Sequence, residues 1–222
     1  MIVAERKPMS DIIKMLDDCA KISVVGCGTC VTVCSAGGEK EVSLVASLLR
    51  MSPQREHIDG EIVDLLVERQ CEFEMLEEVS SQVQDSDAVL SMGCGAGVQT
   101  MAAHFEGTPI FPGLNTKFIG IPEQQGVWTE QCLACGDCML DLTGGICPMA
   151  RCAKNILNGP CGGSQDGFCE VEEDTECGWQ LIYDRLHSLG RLQILENIDP
   201  HRDWSSSEHG GPRKIRREDL IL

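Results

Sequence analysis

Aromatic side chains are scarce in this chain: three Trp, one Tyr and five Phe are spread over 222 residues. That excludes a large aromatic core and means that something else must stabilise the C-terminal half. Basic residues are also few. Lys and Arg number 18 against 35 Asp and Glu, a formal charge of −17, which excludes the clustered positive surface that nucleic-acid phosphates demand. No apolar run reaches the roughly 18 residues of a membrane span, and Met1–Ser10 lacks the hydrophobic stretch of a secretory signal. A cytoplasmic location is expected, where thiols stay reduced. The histidines His57, His104, His187, His201 and His209 are scattered and read as surface or packing residues. There is no Ser/His/Asp order and no carboxylate pair at a persuasive spacing, and Glu170–Glu176 reads as a solvated loop. No substrate-converting site is expected in this chain.

What the chain has in abundance is cysteine: fourteen residues, eight of them between Cys132 and Cys177. Such density implies either a disulfide scaffold or thiolates held on metal. In a reducing compartment the second reading is favoured. Metal bound to thiolates also becomes folding free energy, the very contribution that a chain poor in aromatics lacks.

The first half alternates between helical and strand periods. Ser10–Ala20 predicts a helix capped by Ser10, with Ile12, Ile13, Leu16 and Cys19 at helical spacing. A β-branched strand follows at Lys21–Gly26, ending at Cys27, and then a helix at Gly38–Leu49 with Val42, Val45, Leu48 and Leu49 inward. Glu61–Val67 and Ala88–Gly93 predict further strands, Phe73–Gln84 and Gly97–His104 helices, and Pro109–Ile121 a final strand region. After Val127 the rhythm stops until a helix at Gly178–Glu196, with the stripe Trp179, Ile182, Leu186 and Leu189. The expected class is α/β. A small parallel-sheet, Rossmann-like domain spans residues 1–125, with helices on both faces. An irregular ferredoxin-like, Cys-rich domain with one long helix spans 126–197. The extended tail, 198–222, contains Trp204 and the basic run Arg213–Arg217, and reads either as solvated or as an arm laid on a partner.

This layout places Cys27, Cys30, Cys34, Cys71 and Cys94 just after strands, where open α/β sheets bind ligands. Cys27, Cys30 and Cys34 lie on one tight loop, with Cys94 the natural fourth ligand and Cys71 in reserve. Four such thiolates suit either an iron–sulfur cluster or a tetrahedral zinc, with iron–sulfur favoured. Cys19 reads as a core residue of its helix. The glycines of Gly93-Cys94-Gly95-Ala96-Gly97 resemble a phosphate loop, but equally permit close backbone approach beside a ligand.

Cys132, Cys135 and Cys138, with two intervening residues each time, have the spacing that wraps three thiolates around a [4Fe-4S] cube. Cys147-Pro148 follows after eight residues rather than the three of the bacterial ferredoxin run. With Cys152, Cys161, Cys169 and Cys177 the region supplies the eight thiolates of two [4Fe-4S] clusters. Two partitions are open. The ferredoxin-like crossing joins Cys132, Cys135 and Cys138 to Cys177 and leaves Cys147, Cys152, Cys161 and Cys169 for the second cluster. The sequential alternative divides Cys132–Cys147 from Cys152–Cys177. The crossing is the expectation, helped by the helix N-terminus beside Cys177.

Asn158-Gly159-Pro160-Cys161-Gly162-Gly163, Gly167-Phe168-Cys169-Glu170-Val171, Cys177-Gly178-Trp179 and Ile182-Tyr183-Asp184-Arg185-Leu186 resemble a known family. It is the small, Cys-rich MetV-type subunit of methylenetetrahydrofolate reductase, also described as a methylenetetrahydrofolate reductase C-terminal domain. Asp203-Trp204-Ser205 and Pro212-Arg213-Lys214 fit the same pattern. The resemblance implies a heteromeric partner, a MetF-type TIM-barrel flavoprotein that carries FMN, so the FMN is not on this chain. That partner reduces 5,10-methylenetetrahydrofolate to 5-methyltetrahydrofolate in one-carbon metabolism, notably in the acetyl-CoA pathway of anaerobes. The resemblance makes this chain an electron carrier toward the flavin or an organiser of the complex, with a further electron-donating redox protein as another partner.

Three functions are therefore weighed: an iron–sulfur electron-transfer subunit, a zinc-binding structural scaffold of the same or a related complex, and a thiol or corrinoid redox enzyme using the Gly93–Gly97 loop. The first is the expectation.

Overall fold

The computed structural model describes residues 1–55, 60–198, 200, 202–207 and 211–220. The chain divides into two compact units, Met1–Thr129 and Glu130–Leu222.

In the first unit, strands β1 (Ile2–Arg6), β2 (Ile22–Cys27), β3 (Ile62–Val67), β4 (Ala88–Ser91), β5 (Ile110–Pro112), β6 (Leu114–Gln124) and β7 (Val127–Cys132) form two sheets. The last residues of β7 open the second unit. The first sheet is parallel, in the order β3-β2-β4-β5, with Val25 opposite Leu65 on one side and Ser91 on the other. The second has the order β1-β6-β7, with β1 antiparallel to β6. Every residue of β2 and β4 is buried, as expected of parallel strands covered on both faces.

Side-chain alternation decides which face each residue serves. Val24 and Leu90 join a cluster with Ile12 and Leu16, and with Val42, Val45 and Leu49 of α3 (Glu39–Arg50). Ile12 belongs to α1 (Met9–Met15). Val25 and Val89 point the other way. They meet Leu76 of α4 (Phe73–Leu76), Val83 of α5 (Ser80–Gln84) and Met101 of α6 (Gly95–His104). The start of α3 is closed by Glu41, whose carboxylate accepts from the Gly38 N–H at 3.0 Å.

Several expectations change. The predicted helix Ser10–Ala20 is α1, Met9–Met15, with Pro8 rather than Ser10 at its N-cap. Asp17 and Asp18 oppose its C-terminal dipole. Phe73–Gln84 is broken by a 3₁₀ turn at Glu77–Val79, where the Ser80 hydroxyl donates to the Leu76 carbonyl. Pro109–Ile121 is two strands in two different sheets, parted at Gly113. On α3 the inner set is Val42, Val45, Ala46 and Leu49, and Leu48 is exposed. Strand β1 and the single turn α2 (Cys30–Val33) are too short for a periodic signal.

The second unit is largely irregular. Its regular pieces are α7 (Pro148–Arg151), α8 (Gly178–Ser188) and 3₁₀ turns at Leu192–Glu196 and Trp204–Ser206. The predicted helix Gly178–Glu196 therefore ends early. Its stripe of Trp179, Ile182 and Leu186 is buried, whereas Leu189 is exposed. The Trp179 indole N–H is satisfied by the Ile156 carbonyl at 2.8 Å. Among the described residues no helix is long and apolar enough to cross a membrane.

A fully buried glutamine ties the strand ends of the first unit together. Gln70 Nε2 donates to the carbonyls of Val25 (2.8 Å) and Gly26 (3.1 Å), and its Oε1 accepts from the Ser91 hydroxyl at 2.5 Å. The loop after β3 is thereby fixed to β2 and β4. Gln70→Leu strands those polar groups and is expected to cost about 2 kcal/mol. Urea unfolding of the variant measures it, and an unchanged midpoint would show that Gln70 is no tether.

Candidate metal centres

In the parallel sheet β3 lies on one side of β2 and β4 on the other. The connections leaving those strands therefore part, and the crevice between their carboxyl ends is where such sheets bind ligands. Three thiols sit there. Cys27 ends β2, Cys71 follows β3 and Cys94 is the N-cap residue of α6. Cys27 Sγ lies 3.6 Å from the Thr29 hydroxyl and 3.7 Å from the Glu68 carbonyl, to which it donates. Burial pushes the Cys71 thiol above its ordinary value, and the charges of Cys27 and, more weakly, Cys94 act in the same direction. Cys71 thus lies within electrostatic reach of the other two thiols.

Cys30 opens α2 and is half-buried. Cys34, at the C-terminal end of the same turn, is 5% exposed, and its thiol donates to the Ala4 and Val31 carbonyls, both at 3.6 Å. Burial raises its pKa, with a smaller contribution from Cys30. Of the expected quartet, Cys27, Cys34 and Cys94 border one apolar cluster and Cys30 opens the turn between Cys27 and Cys34, while the reserve, Cys71, lies within electrostatic reach of Cys27 and Cys94.

The glycines of the Gly93–Gly97 loop have a packing reason. A Cβ on Gly93 would lie 2.2 Å from Gln70 Oε1, and one on Gly97 would lie 2.8 Å from the Gln70 Cβ. They admit the glutamine tether.

In the second unit Cys132, Cys135, Cys138 and Cys147 line one cavity of about 230 Å³, together with Leu133 and Arg202. The loop between Cys132 and Cys138 turns through Ala134 (φ +50°) and Gly136 (φ +88°). It is closed by the Ala134 N–H on Cys132 Sγ at 3.3 Å. Gly136 is packed against Ser206, whose carbonyl oxygen would lie 2.1 Å from an added Cβ. Arg202 Nη2 donates to Cys135 Sγ at 3.0 Å and also to the Asp137 carbonyl. Cys147 caps α7, with Pro148 at its first position.

The cavity gathers Cys147 with the triplet, the first group of the sequential alternative, and Cys177 of the expected crossing does not line it. Cys177 is instead buried with Trp179, Ile182 and Leu186, and Cys152 packs against that cluster. Cys161 Sγ stands 3.4 Å from Glu170 Oε1 and accepts from the Gly163 N–H at 3.4 Å. Cys169 and Cys177 are held by main-chain bonds, the Cys169 N–H to the Thr175 carbonyl and the Cys177 N–H to the Gly167 carbonyl, both at 2.8 Å. Asp166, Glu170 and Glu173 line a hollow with Cys169, and Lys154 pairs with Glu170.

Among the described residues no group of three or more His, Cys, Asp or Glu side chains is placed to hold a single metal ion. A zinc tetrahedron needs four donors converged on one point. A [4Fe-4S] cluster takes each thiolate at a different iron, so its donors stand around a volume. Four cysteines distributed over one cavity wall match the second requirement. The Nε of Arg202 is buried with no hydrogen-bond partner among the described residues, a free donor that a sulfur-rich group would engage. The donor set therefore fits a cluster.

His104 is taken up by packing, 3.3 Å from Glu77 and in edge contact with Phe105, and His187 stacks on Tyr183. His57, His201 and His209 lie outside the described residues.

Residues 111–205 match the family whose description reads methylene-tetrahydrofolate reductase C terminal. The match covers Asn158–Gly163, Gly167–Val171, Cys177–Leu186 and Asp203–Ser205 and bears out the resemblance seen there. No curated protein and no solved structure matches the chain.

Burial and a raised pKa both slow thiolate chemistry at Cys34. Iodoacetamide at pH 8, read by mass spectrometry, should label Cys34 at least about tenfold more slowly in the folded chain than in urea. Equal rates would remove Cys34 from the core.

Proposed function

We propose that this chain is an iron–sulfur electron-transfer subunit of a methylenetetrahydrofolate reductase system. It passes single electrons to or from the FMN of a MetF-type flavoprotein partner. The observation that carries this reading is the shared cavity of Cys132, Cys135, Cys138 and Cys147 within the family-matched segment. Those four residues hold one [4Fe-4S] cluster, and Cys152, Cys161, Cys169 and Cys177 hold the second. Cys27, Cys30, Cys71 and Cys94 hold a third centre, iron–sulfur or zinc. When bound, such clusters supply one-electron uptake and release, which a flavin can exchange in single steps.

The residues of the chain do the rest. Leu133, Leu140 and Met149 furnish apolar wall around the first quartet. Gln70 orders the loop of Cys71 against the ends of β2 and β4. The formal charge of −17 steers association toward a basic face of the partner and sets orientation more than affinity. A second redox protein delivers or removes electrons at the far end of the relay.

Iron, sulfide and zinc per chain, measured anaerobically with an electron paramagnetic resonance spectrum after dithionite, test this reading. Iron with sulfide and a reduced-cluster signal are expected. Zinc alone, with no signal, would replace electron transfer by the scaffold. Cys135→Ala should lose about four irons, and unchanged iron would remove Cys135 from the ligands. At the first site Cys71→Ser should release metal while Cys34→Ser retains it. The reverse result would restore the quartet expected from spacing.

A further inference from the structure

Arg202 is the one cation hydrogen-bonded to a cysteine sulfur among the described residues. Its Nη2 lies 3.0 Å from Cys135 Sγ, and the same nitrogen donates to the Asp137 carbonyl two residues on. The guanidinium lies 5.3 Å from the centroid of the Trp204 ring, which holds it in place by a cation–π contact. The segment around it is anchored to the same loop. Ser206 Oγ donates to the Cys135 carbonyl at 3.4 Å, Ser206 packs on Gly136, and Arg213 donates to the Ala134 carbonyl. Asp203 caps the short turn through the Ser205 N–H at 2.8 Å. The tail thus delivers a permanent positive charge to one sulfur of the first quartet.

The second quartet has the opposite surroundings. Cys161 Sγ faces a carboxylate oxygen of Glu170 at 3.4 Å, and Asp166, Glu170 and Glu173 border Cys169. Lys154 pairs with Glu170 and, at 3.8 Å, Arg151 with Glu176, and neither cation is hydrogen-bonded to a cysteine sulfur among the described residues. A cluster that takes up one electron gains one negative charge. A cationic donor on its thiolate stabilises the reduced form, and adjacent carboxylates destabilise it.

We propose that Arg202 is a positioning residue that raises the reduction potential of the Cys132/Cys135/Cys138/Cys147 site above that of the Cys152/Cys161/Cys169/Cys177 site. Electrons would therefore settle on the first quartet. This rests on the cluster reading of the preceding subsection. The bland alternative is an arginine that only closes the tail onto the loop, and that alternative leaves the potential unmoved.

The test uses the full chain purified anaerobically with its flavoprotein partner. It is titrated stepwise with dithionite while each reduced-cluster signal is followed by electron paramagnetic resonance. Iron per chain is measured in parallel. The signals lost in Cys135→Ala and in Cys161→Ala identify the two C-terminal clusters, and in Arg202→Gln the higher of their two midpoints should fall by at least tenfold in the reduction equilibrium, about 59 mV for one electron. The lower midpoint should stay put. Arg202→Lys keeps the charge but loses the planar fork, and should give a smaller fall at the same signal. With full iron, unchanged midpoints in Arg202→Gln overturn the proposal, and so does a fall confined to the lower signal. If Arg202→Gln loses iron, Arg202→Lys decides: a fall at the higher midpoint supports the proposal and no fall overturns it. An iron-free parent chain would instead defeat the cluster reading itself, so the two failures are distinguishable.

Discussion

The second unit has to be held together by something other than apolar burial. From Glu130 onward the described residues contain one small buried cluster, Cys177, Trp179, Ile182 and Leu186, with a few half-buried neighbours. Ordering the backbone of a segment this long costs far more than such a cluster returns. Many of its main-chain hydrogen bonds close short local turns, such as the Asn155 amide on Cys152 and the Cys169 amide on Thr175. The proposed clusters would supply the missing free energy directly, because thiolates bound to metal are cross-links between distant parts of the chain. The scarcity of aromatic residues and the abundance of cysteine are then two sides of one design.

The first unit solves a different problem. Its two apolar clusters lie on opposite faces of the parallel sheet and sustain it by apolar burial. This leaves the carboxyl ends of β2, β3 and β4 available for polar groups. Gln70 uses that freedom, bonding to the ends of β2 and β4 from the loop after β3. The glycines at 93 and 97 exist in relation to it. A motif that resembles a phosphate loop by composition is explained here by the volume of a glutamine side chain.

Elements with a clear period were legible. Strands β2, β3 and β4 and helix α3 stand near their expected positions because burial on a defined face leaves a pattern of spacing. Elements of three to five residues, β1 and α2 among them, leave no such pattern. The division of Pro109–Ile121 between two sheets was equally hidden, since a strand's partner is set by tertiary pairing and not by its own residues. Cys34 shows a related effect. Spacing places it with Cys27 and Cys30, but one helical turn carries its sulfur round to the Ala4 carbonyl.

From the sequence alone came the expectation of thiolates on metal, the family resemblance, the α/β first half and the count of cysteines. Those properties depend on composition and on neighbours within a few residues. Tertiary structure decided which thiols share a space: Cys147 lines the cavity of the Cys132–Cys138 loop, and Cys177 is buried with Trp179, Ile182 and Leu186 instead. It also brought Arg202 to Cys135 across 67 residues of chain. Hydrogen bonds and Coulomb forces act over a few ångströms of space, and no local spacing records which distant residue will arrive there.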